Sequence, residues 1–516
     1  MNFRHHASAA FLSLFTPCSL LFLSLLHPAA AARAEDVSSI TTAPAALPPR
    51  DETQPPPRWT GDPAKAAAEL DLMWKQHLAR AIAQSPPTFT AASAAAAARG
   101  AGPGSDETNG ISTRGVFRFA LEAAALGDKG WYPDRIEDVL RFGRSLQDIY
   151  PASTTYGNFK WVSDADKVYD HNAVEFVAQL CGALHRAYAN RLTPDAKKLL
   201  EDIMTTAIEG IDSHPVKPDY TNISIMQAWN LISLGEALNR PAVAEKGYAR
   251  LDDWLRFTAQ NGIPEFGATT YYGIDLDSLA LIARFAARPE ARAKALAAIR
   301  YLWTDAAANW WTSGDRLGCA NSRTYDSIWS HGYFEAHAWT AGWLRSQPRL
   351  ENAGWLPGPR DNLVALRTLA SLPPPPEWKL NALRAELPRT VVQRTGADPA
   401  AIATNWIGRG VNLASSGMAR GGDDRTLGAN IGYTPAVPQM TLFMDGRGDP
   451  YGLIKTRNAA GQAKALHIVP FVATVQRGPE VLQALSYDPP AGKKNSPAAL
   501  ACLFTHLTLP RKPTCG

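Results

Sequence analysis

Four polar clusters in this chain carry side chains of the types that proton-transfer chemistry requires. Residues 263–280, Ile-Pro-Glu-Phe-Gly-Ala-Thr-Thr-Tyr-Tyr-Gly-Ile-Asp-Leu-Asp-Ser-Leu-Ala, bring the carboxylate of Glu265 close to two adjacent phenols, Tyr271 and Tyr272. The other three clusters are Asp170-His171-Asn172, Tyr220-Thr221-Asn222 and Ser322-Arg323-Thr324-Tyr325-Asp326. Imidazole, phenol and carboxylate groups can give or take a proton, while amide and guanidinium groups can donate hydrogen bonds to a bound molecule. The candidates for chemistry are therefore His171, Tyr271, Tyr272 and Glu265, and those for substrate binding are Asn172, Asn222, Arg323, Tyr325, Trp161 and Trp310. Plain structural roles stand beside these: Asp170 or Asn222 capping a helix, Arg323 pairing with Asp326, and one of the two tyrosines filling the core.

Helices must hold these clusters. Apolar residues recur at three- and four-residue spacing over residues 114–126, 133–149, 170–189, 193–210, 223–238, 242–260, 275–287, 289–303 and 333–345. In 242–260, Ala244, Tyr248, Leu251, Trp254 and Leu255 share one face and Glu245, Lys246, Arg250, Asp252 and Asp253 take the other. Asn239 before Pro241 reads as its start and Gly262 as its stop. Amphipathic hairpins of this kind bury their apolar faces by stacking in a ring or an array. In a ring, the polar clusters collect on one rim, where links present side chains and helices hold them still.

Past the run Ser371-Leu-Pro-Pro-Pro-Pro-Glu the helical period fades. Short β-type segments follow, including Thr390-Val-Val-Gln-Arg, Gln439-Met-Thr-Leu-Phe-Met and His467-Ile-Val-Pro-Phe-Val-Ala-Thr-Val. The expected fold is mainly α: a complete or incomplete (α/α) toroid of helical hairpins over 63–370, a Pro-rich linker over 371–387, and a smaller antiparallel β-sheet domain over 388–516 that reads as trimmed. A chain of 516 residues is long for one core, which agrees with two domains.

The N-terminus reads as an export signal over 1–34. Arg4 precedes an apolar run, and Ala32-Arg33-Ala34 fits a cleavage site before a Pro- and Ala-rich leader over 35–62. The chain is therefore expected to be exported, periplasmic or secreted, with no membrane segment after cleavage. A formal net charge of +4 without a long Lys/Arg run gives no case for nucleic acid. Apart from Cys18 in the apolar run, Cys181, Cys319, Cys502 and Cys515 match no zinc spacing, and no metal or cofactor is indicated. The 15 Trp and 15 Tyr supply flat amphipathic rings, suited to cores and to sugar faces alike.

Three stretches, Asp170-His171-Asn172-Ala173-Val174-Glu175-Phe176, Thr269-Thr270-Tyr271-Tyr272-Gly273 and Asp445-Gly446-Arg447-Gly448-Asp449-Pro450-Tyr451-Gly452, together with the order of hairpins, Pro boundary and β segments, carry a resemblance. The chain resembles the polysaccharide lyases built from an (α/α) toroid and an antiparallel β-sheet domain, of the heparinase II/III and alginate lyase type. That resemblance implies β-elimination at a uronic acid of an acidic polysaccharide. A donor such as Asn172, Asn222 or Arg323 neutralises the sugar carboxylate, and His171 with Tyr271 or Tyr272 moves the protons. The Asp-His-Asn order reverses that family's paired Asn-His.

Two other readings use the same residues. A glycoside hydrolase on a helical toroid needs two carboxyl groups across the scissile bond, roughly 6.5–9.5 Å apart for inversion, and Glu265 with Asp170 or Asp275 is the available pair. A carbohydrate-binding protein without turnover would use Trp161, Trp310 and Trp311 as platforms.

Overall fold

The computed structural model describes residues 112–126, 133–318, 320–323, 332–344, 366, 369–370, 372, 374, 378, 386–418, 424–431, 439–440, 470–487 and 503–508. All of them belong to one compact unit, Arg58–Gly516. The signal and leader, Tyr325, Asp326, most of the Pro-rich linker, the stretch 445–452 and every cysteine except Cys181 lie outside the described residues.

Nine helices run through the described residues: α1 (Thr113–Leu126), α2 (Pro133–Ser145), α3 (Ala173–Tyr188), α4 (Pro194–Asp212), α5 (Thr221–Ala237), α6 (Pro241–Asn261), α7 (Tyr271–Phe285), α8 (Pro289–Asn309) and α9 (Tyr333–Thr340). Local chemistry sets their ends. Pro opens α4, α6 and α8, where its missing N–H costs nothing and its φ is already helical. Thr193 caps α4 by accepting the Ala196 N–H at 3.1 Å. Gly262 ends α6 at φ 71°, a left-handed backbone that a side chain would strain.

The helices are of two kinds. Along α5 every residue from Thr221 to Gly235 is buried, and α3 and α7 are nearly as enclosed. On α6 only Ala244, Gly247, Tyr248, Leu251, Trp254 and Thr258 are buried, the single face that amphipathic spacing predicts. The enclosed helices α1, α3, α5, α7 and α9 pack each on the next, and α2, α4, α6 and α8 each cover the helix before them. The tightest of these pairs is α5 with α6. A Cβ on Gly247 would stand 2.5 Å from the Ile232 backbone nitrogen, and one on Gly235 would stand 2.4 Å from that of Ala244.

Enclosed helices start at a common end. The Asn222 N–H in the first turn of α5 bonds Glu265 just before α7, and the Tyr333 hydroxyl at the start of α9 bonds Asp277 on α7. Gln227 on α5 reaches Glu175 in the first turn of α3, and the Arg114 guanidinium in the first turn of α1 lies over the Phe176 ring on α3. Their polar faces also meet deeper in, where Gln179 on α3 donates to Ser278 on α7 at 2.7 Å.

The sheet region is antiparallel throughout. Strands β3 (Arg389–Arg394), β4 (Ile402–Ile407), β5 (Val411–Ser416), β6 (Leu427–Ile431) and β7 (Gln439–Met440) form one sheet in that order, and β8 (Pro470–Arg477), β9 (Glu480–Tyr487) and β10 (Leu503–Thr508) form another. A short pair, β1 (Trp310–Trp311) and β2 (Arg316–Leu317), follows α8. Trp406, Leu413, Leu427, Ala429 and Val481 make a small core between the larger sheets. Buried amides join sheet to helices: Asn430 donates to Asn412 at 2.9 Å, and Asn405 donates to Asn309, the last residue of α8, at 2.9 Å. Asn309 in turn donates to Gln393 on β3 at 2.8 Å. Each of these amide nitrogens finds an acceptor this way, as a buried donor must if it is not to cost stability.

Several boundaries differ from the sequence reading: α8 runs on to Asn309 where the spacing stops at 303, and α9 ends at Thr340 where the spacing continues to 345. The helix that hydrophobic spacing starts at Asp275 begins at Tyr271, so the paired tyrosines occupy its first turn and not the preceding link. Spacing carries α2 to residue 149, whereas it ends at Ser145, because Gln147 pairs with Phe159 in an isolated bridge.

Candidate active site

The link into α3 is built on Asp170. Its carboxylate accepts the Asn172 N–H at 3.0 Å and the Trp161 indole N–H at 3.0 Å. Asp170 thus folds its own link. Asn172 occupies the N-cap position of α3 without a capping side-chain bond, and its amide faces the Tyr220 phenol. The exposed His171 is held through its backbone, whose carbonyl accepts from the Asn158 amide at 2.9 Å.

Glu265 joins three segments. It is 3 % exposed and accepts the Asn222 N–H at 2.9 Å, placing a negative charge at the start of α5, where the helix dipole favours it. Its other oxygen accepts the Arg323 Nε–H at 3.2 Å. Arg323 is held at φ 55°, an uncommon conformation for a residue with a side chain, while its N–H donates to Asp424 at 3.2 Å. The guanidinium lies 5.8 Å from the centre of the Tyr220 ring. Burial pushes the Tyr220 phenol well above its ordinary pKa, and the Arg323 charge offsets only part of that rise. Tyr220 therefore stays protonated across the neutral range. Asn172, Tyr220, Arg323 and Glu265 form one continuous group.

Beside it stands a carboxylate–imidazole pair whose partners lie 39 positions apart in the sequence. Glu175, fully buried in the first turn of α3, accepts from His214 Nδ1 at 2.9 Å. Gln227 on α5 fixes both partners, donating to Glu175 at 2.7 Å and to the His214 carbonyl at 2.8 Å. The His214 side chain is 19 % exposed, and its ring lies 5.6 Å from that of His171. Burial alone would lower the His214 pKa; the hydrogen bond and charge of Glu175, with Asp170 behind it, outweigh burial and raise it above 6.5.

Other expected residues lie elsewhere. Tyr272 is 0 % exposed and donates to Asp305 at 2.7 Å, so it is a core residue removed from any substrate. Tyr271, half-buried one residue earlier, is the tyrosine at the start end of α7. Trp310 is also a core residue, 0 % exposed and edge-on to Trp343 at 5.4 Å, and Trp311 is equally buried. Trp161 is 6 % exposed and packs on Phe176, so what it offers the site is its indole bond to Asp170, not an open face. Asp275 is fully buried, and burial first, then the charges of Glu265 and Asp277, drive its pKa well up. Asp277 accepts from Tyr333 at 2.9 Å and lies 3.1 Å from His337 Nε2, with His337 itself buried.

Among the described residues no group of three or more His, Cys, Asp and Glu could hold a metal ion, and no helix is long and apolar enough to cross a membrane. The sequence reading named neither Tyr220 nor His214 as site residues. The signal for His214 was indirect: Glu175 interrupts the apolar run Ala-Val-Glu-Phe-Val-Ala, and an acid enclosed in a helix must find a partner elsewhere.

The cluster falls inside a recognised sequence unit. A family model described as a domain of unknown function (DUF8769) matches residues 143–328, from the end of α2 past Arg323, and so covers Asp170, Glu175, His214, Tyr220 and Glu265 but neither α9 nor the two larger sheets. No curated protein and no solved structure matches the chain.

Proposed function

We propose that this protein is an exported polysaccharide lyase that cleaves a uronic-acid-containing polysaccharide by β-elimination, on an (α/α) toroid of the kind its sequence resembles. The single observation that carries this reading is the meeting of an amide, a phenol and a guanidinium, Asn172, Tyr220 and Arg323, where the enclosed helices begin. Elimination needs those three functions in one place. The guanidinium and amide draw charge from the uronate carboxylate, which makes the neighbouring C5 proton acidic and stabilises the charge that grows in the transition state. A base takes that proton, and a phenol kept protonated by burial gives its own to the departing glycosidic oxygen. Tyr220 suits the second task. His171 and Tyr271 stand at the same end of the helices. The order of the helices supports the toroid, since each enclosed helix packs on the next and a flanking helix covers each pair's outer side.

Hydrolysis fits the carboxylates less well. Glu265 is committed to Arg323 and to the Asn222 N–H, Asp170 to Trp161 and Asn172, and Asp275 is sealed from solvent. The test is incubation of the protein with a panel of polyuronates. Ultraviolet absorbance from a new conjugated double bond supports elimination, reducing ends without that absorbance indicate hydrolysis, and binding without either indicates a lectin-like role.

A further inference from the structure

Resting on the lyase reading, we infer that His214 is the catalytic base of the elimination and that Glu175, clamped by Gln227, is its positioning residue. The geometry assigns the roles. Because Glu175 accepts from Nδ1, that nitrogen carries the proton and Nε2 is left with its lone pair, the tautomer a base requires. Glu175 cannot swing away, since Gln227 holds the same oxygen at 2.7 Å and ties the His214 backbone with its other hydrogen at 2.8 Å. Partial exposure of His214 distinguishes it from the buried imidazole of His337.

The charged and titratable groups facing His214 come from each packed element. They are Glu175 on α3, Asp170 and His171 in the link before it, and Arg250 on α6, which opposes the rise in pKa while its own guanidinium donates to the Val216 carbonyl at 2.6 Å. Two acids and one distant cation leave the imidazole more basic than a free one. The elimination then balances. His214 Nε2 takes the C5 proton, the C5–H electron pair becomes the C4=C5 double bond as the C4–O bond breaks, and the departing oxygen takes the phenolic proton of Tyr220. Solvent restores both protonation states.

The experiment combines a titration and a rate profile on the full chain. Imidazole signals of the wild-type protein are followed by NMR against pH, His214 being assigned as the signal missing from His214→Gln, and kcat/KM on a polyuronate is measured over the same range. The wild-type imidazole should titrate above 6.5, with the acidic limb of kcat/KM falling at the same pH. In Glu175→Gln both should move to lower pH and kcat should drop, whereas a role confined to holding the fold would leave the limb in place. In His214→Gln, kcat/KM should fall by about 10²-fold or more, the usual contribution of a general base. A wild-type imidazole that titrates below 6.5, or a folded His214→Gln protein within about tenfold of wild-type turnover, overturns the assignment. Absence of wild-type elimination on every polyuronate counts against the lyase reading and the base assignment together, while the wild-type titration still decides whether Glu175 tunes His214.

Discussion

Two carboxylate–imidazole pairs, Glu175–His214 and Asp277–His337, sit among the enclosed helices in different surroundings. Glu175–His214 leaves its imidazole 19 % exposed, whereas Asp277–His337 has side-chain exposures of 0 % and 4 % and also receives the Tyr333 hydroxyl. The first pair links a helix to a loop beside Asn172 and Tyr220. The second ties α7 to α9. Identical functional groups thus serve two ends: a carboxylate bonded to an accessible imidazole can tune it, and one that bonds a buried phenol beside a buried imidazole holds two helices in register.

That contrast breaks most visibly at Asp277. Asp277→Ala strands a buried imidazole and a buried phenol, and should cost about 3–5 kcal/mol, the usual cost of removing one partner of a buried pair; urea unfolding measures it. The matching change at the exposed pair should cost less stability and more activity. Glu175→Gln keeps the bond to His214 possible and should lose about 1–3 kcal/mol, with a downward shift of the acidic limb that Asp277 variants lack.

Arg323→Ala removes the cation shared by Glu265 and Tyr220. It should reduce kcat/KM by about 10²-fold or more, the scale of losing one preorganised electrostatic donor. Arg323→Lys should recover only part of the loss, because Nε is the atom bonded to Glu265.

A smaller effect separates the two adjacent tyrosines. Tyr272→Phe should cost about 0.5–1.5 kcal/mol for one buried hydrogen bond and leave kcat unchanged, while Tyr271→Phe and Tyr220→Phe should lower kcat. Tyr272 also sets a pH signature. Burial raises the Asp305 carboxyl from 3.8 to about 6 although the Tyr272 hydroxyl lowers it. A raised folded pKa means that the contribution of this carboxyl to stability is fully present below 3.8 and is lost as pH climbs through about 6. Removing the hydroxyl raises that carboxyl further, so thermal midpoints taken against pH should fall over a wider range in Tyr272→Phe.

The helices were legible because burial on one face imprints a period on the sequence. For α6 the apolar positions, Pro241 and Gly262 gave both ends within a residue. The start of α7 was not legible: residues 263–272 carry Gly267 at φ 57° and little apolar period, and Tyr271 and Tyr272 read as a link until the backbone bond from Tyr272 N–H to Ala268 is seen. The site was legible only by residue type. Asp170, Asn172, Glu265 and Arg323 stood out as polar residues in links. Which tyrosine faces the cluster, and that Glu175 meets His214 across 39 positions, depends on how α3, α5 and the loop before α5 pack, and no local pattern encodes that. Trp310 failed as a candidate for the same reason, since aromatic type alone does not separate a sugar platform from a residue packed on Trp343.

The most direct test follows products of one polyuronate digestion by two assays at once, in wild type and Tyr220→Phe. The account predicts that wild type releases unsaturated, ultraviolet-absorbing ends in equal number to new reducing ends, and that Tyr220→Phe folds normally and forms neither at an appreciable rate. Reducing ends that accumulate without absorbance, or a Tyr220→Phe protein as active as wild type, would contradict it.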